Sequence, residues 1–328
     1  MELEAPVRAL LDGYRSMAAV GLDLNDPEDL SKIRAMAIQT DLDLSDGPVD
    51  GVEISDVVID DVPVRLYRPA AGGALPLHVY FHGGGFMLGS ALSGELDGLL
   101  SRRALDAHCL VASVEYRLAP EHRFPAGVND CYAALIGLCA DAERNGIAPQ
   151  AVTMGGASAG GNLAAAVALK ARDTDGPRIS LQLIEIAGLD LTDSSRAWRN
   201  PDLGHDTTRE ADVAWNDLHL SSPAERVHPY VSPFFAPDLA GLAPAYLMNA
   251  EFDPRRDECE AYAARLQDAG VQAVSRTMRG HIHGSSMLPN WRPAQDWRAA
   301  ANAVLAAAHE AALAGRPVDL PVAATTTA

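Results

Sequence analysis

Apolar positions change their spacing along the chain. Val7, Leu10, Leu11, Tyr14, Met17 and Ala18 recur every three or four residues, which predicts an amphipathic helix. Asp26-Pro27 reads as an N-cap followed by proline at the first helical position. Leu30, Ile33, Met36 and Ala37 give that second helix an apolar face. The pattern then turns to strand at 52–54 and 57–59, again at 62–67 before Arg68-Pro69, and at 77–81 before Gly83-Gly84-Gly85. From there strands at 109–116, 152–154, 179–186, 245–249 and 271–278 alternate with helices at 127–140, 159–171, 257–269 and from Trp291 onward. Gly270 sits where a C-terminal helix cap belongs. Strands separated by helices predict an α/β fold with a mostly parallel sheet covered on both faces.

Two stretches break the rhythm. Residues 191–233 show no strand pattern and hold Trp198, Trp215, His205, His219, His228 and several prolines, so a helical insertion over the sheet's edge, a lid, is expected. Residues 317–328 end in Thr-Thr-Thr-Ala and read as a frayed tail. The expected division is a helical cap segment at 1–50, a core at 51–190 and 234–316, the cap insertion at 191–233, and the tail. There is no internal repeat.

Composition narrows the function. At 48% hydrophobic and 21% charged residues, the chain is no disordered polymer. Lys plus Arg number 26 against 44 Asp plus Glu, a formal charge of −18 that opposes nucleic-acid and anionic-membrane partners. No run approaches the ~20 apolar residues of a membrane span. Met1-Glu2-Leu3-Glu4 is acidic and starts no signal-peptide pattern. Cys109, Cys131, Cys139 and Cys259 form no CxxC pair. Cys131 and Cys139 would lie roughly 12 Å apart along one helix, too far to bridge. Four reduced thiols in a cytoplasmic protein are the expectation.

The chemistry-bearing residues cluster at predicted strand ends. Gly156-Ala157-Ser158-Ala159-Gly160 follows a strand and opens a helix, the context in which G-x-S-x-G makes a nucleophile elbow. His82-Gly83-Gly84-Gly85-Phe86 follows another strand. Backbone N–H groups there can stabilise the oxyanion of acyl transfer, with Gly83, Gly84 and Ala159 as the expected donors. His82 and Gly85 are expected to support that loop, His82 through a hydrogen bond. Asp253 and His283 follow the last two predicted strands. The order Ser158, Asp253, His283 is that of α/β-hydrolases. Serine is a weak nucleophile, so His283 takes its proton, and Asp253 holds the imidazole and stabilises its charged form.

Asp257 competes with Asp253 for the acid role, but it opens the following helix, where a carboxylate answers the helix dipole. His281 and His283 form an H-x-H pair, yet a catalytic zinc needs a third protein ligand and none is evident. No metal or cofactor is expected. Glu185 lies in an otherwise apolar strand and needs partners. It is read as supporting the elbow helix or oxyanion loop, with a simple salt bridge as the other option.

Together these motifs resemble the hormone-sensitive-lipase-like branch of the α/β-hydrolases, the bacterial family IV carboxylesterases. The same resemblance is carried by Glu115-Tyr116-Arg117-Leu118-Ala119-Pro120-Glu121, Phe124-Pro125-Ala126 and Glu251-Phe252-Asp253-Pro254-Arg255-Arg256-Asp257-Glu258. It runs from about His78 to His283. It implies an eight-stranded mostly parallel sheet with one early antiparallel strand, and a cap built from the N-terminal helices and the insertion. It places the base at His283, immediately before Gly284. The chain departs from the family pattern at Ala157, where Asp or Thr is usual, and at Ser285 and Ser286, where Phe is usual. A more polar or more open pocket wall is expected there.

The function expected is a serine carboxylesterase acting on short- to medium-chain or small natural-product or drug-like esters through an acyl-enzyme. Lactonase or amidase chemistry would use the same triad. A non-hydrolytic small-molecule binder of this fold would lack His283, and a lyase would leave Ser158 idle. A homodimer through the exposed edge of the last strand is a further option.

Overall fold

The computed structural model describes residues 3–18, 20–70, 72–200 and 208–321. Eight strands form one sheet in the order β1-β2-β4-β3-β5-β6-β7-β8: β1 Val52–Ile59, β2 Val62–Pro69, β3 Leu75–Phe81, β4 Leu110–Val114, β5 Ile147–Ala157, β6 Leu181–Glu185, β7 Ala245–Ala250 and β8 Ala273–Met278. β2 runs antiparallel to both neighbours, and the other pairs are parallel. The central strands are buried on both faces and mostly apolar, as a doubly covered parallel sheet requires.

Helices α3 Asp97–Asp106 and α8 Arg292–Leu313 cover one face, burying Leu100, Ala104, Trp297, Ala301 and Leu305. Helices α4 Ala126–Ala140, α5 Ala159–Asp173 and α7 Arg256–Asp268 cover the other, burying Leu135, Leu163, Val167, Tyr262 and Leu266. The chain leaves β3 towards β4 on one side and returns to β5 on the other. That reversal makes a crevice beyond the carboxyl ends of β3 and β5, where ligands of open α/β sheets bind.

The N-terminal helices are α1 Ala5–Ala18 and α2 Pro27–Leu44, the latter capped by Asp26 with Pro27 in its first turn. Val7, Leu10 and Leu11 of α1 pack on Ile282, Leu288 and Trp291, so α1 sits beside the loop that carries His283. The insertion contains α6 Arg209–His219 and short 3-10 turns at Arg196–Arg199 and Pro223–Val227. His205 lies outside the described residues, as do the side chains of Met17 and Ala18.

Some sequence expectations are revised. α3 carries no helical signature, because Gly98, Ser101 and Arg103 share its buried face with Leu100 and Ala104. Residues 317–321 are not frayed: Val318 and Leu320 pack against the α3–α8 layer, Leu320 at 3% exposure. The rest of the expected tail, 322–328, lies outside the described residues. Glu185 does not support the oxyanion loop or the elbow helix through its carboxylate. That group pairs with Arg103 of α3 at 2.9 Å and accepts from Trp297 Nε1 of α8 at 2.8 Å, on the opposite face. Its backbone carbonyl, however, accepts the Ser158 N–H at 2.8 Å.

Candidate active site

Ser158 sits between β5 and α5 with φ 56° and ψ −120°, a left-handed conformation costly for a non-glycine residue. The surroundings enforce it. Ser158 N–H is held by Glu185 on β6, and its C=O accepts from Asn162 of α5. Gly160 lets α5 close on β3, since a Cβ there would collide with the Phe81 carbonyl. The hydroxyl consequently stands at the carboxyl end of β5 with a helix N-terminus behind it.

His283 approaches from the loop after β8. Its Nε2 lies 2.9 Å from Ser158 Oγ, and its Nδ1 2.6 Å from Asp253 Oδ2. A carboxylate only accepts, so Nδ1 carries the proton and Nε2 is left to receive one from the serine. Asp253, from the loop after β7, is 1% exposed. Burial alone would raise its pKa, but the His283 contact and the Arg255 charge hold it below the ordinary carboxylate value. Asp257 instead pairs with Arg256 in the first turn of α7.

The Gly83–Gly85 loop is aimed by what its carbonyls meet. A trans peptide points its C=O and the following N–H in opposite directions. The His82 carbonyl accepts from the Tyr116 hydroxyl at 2.8 Å, which fixes the Gly83 N–H. The Gly83 carbonyl accepts from His82 Nδ1 at 2.7 Å, which fixes the Gly84 N–H. The His82 and Tyr116 rings stack at 4.2 Å, locking both donors. Gly84 C=O accepts from Met87 and Leu88, and Gly85 C=O accepts from Trp215 Nε1 of α6 at 2.8 Å. Gly83 packs against Ser158, with Ala159 opening α5 next to it.

His281 is 1% exposed, packed by Trp291 and Trp297, and burial lowers its pKa to about 4. Its Nδ1 lies 2.8 Å from Ser285 Oγ, which also bonds the N–H and C=O of Ile282. Ser285 is therefore not part of a polar pocket wall; it is buried and braces the turn that presents His283. Among the described residues, no group of three or more His, Cys, Asp or Glu is arranged to hold a metal ion. His219 stacks on Phe86 at 4.0 Å, and His228 packs near Phe124 and Tyr230.

Several site contacts escaped sequence reasoning: the Tyr116 hydroxyl, the Trp215 N–H, and the guanidinium groups of Arg255 and Arg34. Arg34 of α2 donates to the carbonyls of Met87 and Ala119 and grips Glu121 with two nitrogens. Trp215 and Arg34 stand in regions without strand or motif context, so no local pattern marks them.

Comparison with known proteins agrees with this geometry. Residues 78–287 match the model of a family described as alpha/beta hydrolase fold. The carboxylic ester hydrolase LipN of Mycobacterium tuberculosis is 36% identical over 293 residues, 86% of this chain and 76% of that protein. An arylesterase of Saccharolobus solfataricus is 34% identical over 225 residues, 68% of this chain and 72% of its own. The solved hyperthermophilic esterase of the archaeon Pyrobaculum calidifontis superposes with a TM-score of 0.83 at 33% identity, covering 93% of this chain and 98% of that one. On its matched motifs, its sheet and these relatives, the chain belongs to the α/β-hydrolase fold family, in its hormone-sensitive-lipase-like branch.

Proposed function

We propose that the chain is a serine carboxylesterase in which Ser158 attacks the ester carbonyl, His283 moves the proton and Asp253 steadies the imidazole. The observation that carries this reading is the unbroken chain from Ser158 Oγ through His283 to Asp253, at 2.9 and 2.6 Å. As Oγ bonds to the carbonyl carbon, Nε2 accepts its proton and the imidazolium is balanced by Asp253. The tetrahedral oxyanion faces the N–H groups of Gly83, Gly84 and Ala159. Collapse returns the proton to the leaving alcohol. Water, activated by the same Nε2, then releases the acid and frees Ser158.

The substrate is a small uncharged ester of short to medium acyl chain, or a natural-product or drug-like ester of similar size. Residues 1–50 and 191–233 form the cap that limits it. Supporting this, α1, α2 and α6 each pack or bond onto a loop of the site. Lactones and amides are the neighbouring substrates for the same groups. Among the described residues no helix is long and apolar enough to cross a membrane. All four cysteines are free thiols, which supports a reducing, cytoplasmic setting.

The test is hydrolysis of p-nitrophenyl esters from acetate to palmitate by wild type and Ser158→Ala. Turnover peaking at short chains in the wild type and lost in the folded variant is expected. Retained turnover in Ser158→Ala would overturn the nucleophile. Organophosphate labelling of Ser158 separates a hydrolase from a binder, and recovery of acid and alcohol in equal amounts separates it from a lyase.

A further inference from the structure

We propose that Arg255 is a positioning residue for Asp253 and that, through Asp212, it ties the acid end of the Ser158–His283–Asp253 chain to α6 of the insertion. The proposal rests on the triad reading above. Arg255 lies two residues after Asp253, at the start of α7. Its backbone N–H donates to Asp253 Oδ1 at 2.9 Å, and its guanidinium Nη1 lies 3.7 Å from the same oxygen. The other carboxylate oxygen, Oδ2, serves His283. Nη2 of Arg255 pairs with Asp212 on α6, and the guanidinium lies over the Trp198 ring, 5.1 Å from its centroid. A buried carboxylate needs a counter-charge. Here the counter-charge is pinned from its far side by a segment remote in sequence.

The charged and titratable surroundings set the sign of the effect. Arg255 faces Asp212 from α6, Asp193 from the loop after β6, and Glu258 from its own helix, with Asp190 of the same loop beside Asp193 and Glu258. Asp253 faces His283 from the loop after β8 and Cys259 from α7. Arg209 of α6 donates to the Asp193 and Thr192 carbonyls. Burial, with Asp190 beside it, raises the pKa of Glu258 well above the ordinary carboxylate range. Burial, then Asp212, pushes Asp193 up to about 7. A positive charge beside Asp253 makes the Asp253–His283 pair a poorer proton acceptor. Arg255 thus extends the active, unprotonated state to lower pH, while the negative side chain of Asp212 moderates it.

The experiment is the pH dependence of kcat/KM on p-nitrophenyl acetate for wild type, Arg255→Met, Arg255→Lys and the double variant Asp193→Asn with Asp212→Asn. Both carboxyls are removed because Asp193, relieved of Asp212, would ionise more readily and restore the charge. Arg255→Met should move the acid limb up by about half a pH unit, roughly a threefold loss below the limb. Arg255→Lys should return it towards the wild type, and the double variant should move it down. An equal loss at every pH with a fixed midpoint means mere packing and overturns the proposal. Should Arg255→Met fail to fold, the double variant still decides, because an unmoved or raised limb overturns it. Asp253→Asn separates the two readings. Full activity there sinks the triad itself; an inactive Asp253→Asn beside unmoved limbs sinks only the role of Arg255.

Discussion

At Gly84 the backbone has no room for a side chain: φ is +111° and a Cβ would strike the Leu88 carbonyl. Gly83 has no positive φ, and its Cβ would come no closer than 3.1 Å, to the Ala157 carbonyl. Gly84→Ala must therefore turn the peptide that carries a proposed oxyanion donor, whereas Gly83→Ala needs only a small adjustment. With one donor worth ~10²–10³ in rate, Gly84→Ala should lose about that much kcat in a folded protein, and Gly83→Ala distinctly less. Steady-state kinetics on the two variants checks the order; equal losses would contradict the peptide geometry. Tyr116→Phe tests the same mechanism from behind. It keeps the ring stacked on His82 but removes the hydroxyl that holds the His82 carbonyl. A net hydrogen bond of about 1 kcal/mol predicts a fall in kcat of roughly fivefold with KM little changed. A drop in Tm with kcat intact would mean that the hydroxyl serves stability and not the donor's aim.

Among the elements, α2 is clamped near its middle by Arg34. Arg34 spans the Met87 carbonyl, just past the glycine loop, and the Ala119 carbonyl and Glu121 carboxylate of the segment after β4. Arg34→Met should cost about 1–2 kcal/mol, discounted because Glu121 is half exposed, and thermal melts check it. It should also raise activity on longer acyl chains relative to acetate, because α2 is then free to shift; an unchanged chain-length profile would separate α2 from the pocket. Such clamps also mark where reading the sequence stopped. Periodicity reports which face of an element is buried, so α1, α4, α5, α7, α8 and the strands were legible; α2 was legible as a helix, but of its expected apolar face only Leu30 is buried and Met36 is exposed. The placement of Gly83, Gly84, Ser158, Asp253 and His283 at strand ends was legible because turn chemistry is local. α3 was not, since its buried face mixes Ser101 and Arg103 with leucine and alanine. Nor was the direction of Glu185, which depends on Arg103 and Trp297 arriving from distant parts of the chain. Arg34, Trp215 and Arg255 belong to the same class: polar groups with partners remote in sequence.

Over the whole molecule, burial has left two sets of titratable groups with opposite leanings. Burial depresses His78, His82 and His281, and also His219 to about 3 and His309 to about 4. Between the ordinary imidazole pKa of ~6.5 and those values the unfolded chain binds protons that the folded chain refuses, so each histidine removes stability as pH falls. Burial also raises Asp41 to about 6 and Glu95 to about 7, and lifts Glu258 well above the ordinary carboxylate range. These carboxyls take protons in the folded state first, so each returns stability as pH falls from 7 towards 4.5. The two sets oppose each other over the same window, which predicts a shallow dependence of stability on pH there despite a net charge of −18. Single variants should unbalance it with opposite signs. His309→Gln can still bond the Thr153 hydroxyl, which lies 2.9 Å from the imidazole Nε2, but no longer refuses a proton. Its stability relative to wild type should rise by about 2 kcal/mol between pH 6.5 and 5, at ~1.4 kcal/mol per pH unit for one fully linked group. Glu95→Gln, which loses the compensating proton uptake, should fall relative to wild type over the same interval. Urea denaturation at the two pH values reads both. Shifts of the same sign, or none in either variant, would mean that these buried groups keep ordinary pKa values and that the compensation does not exist.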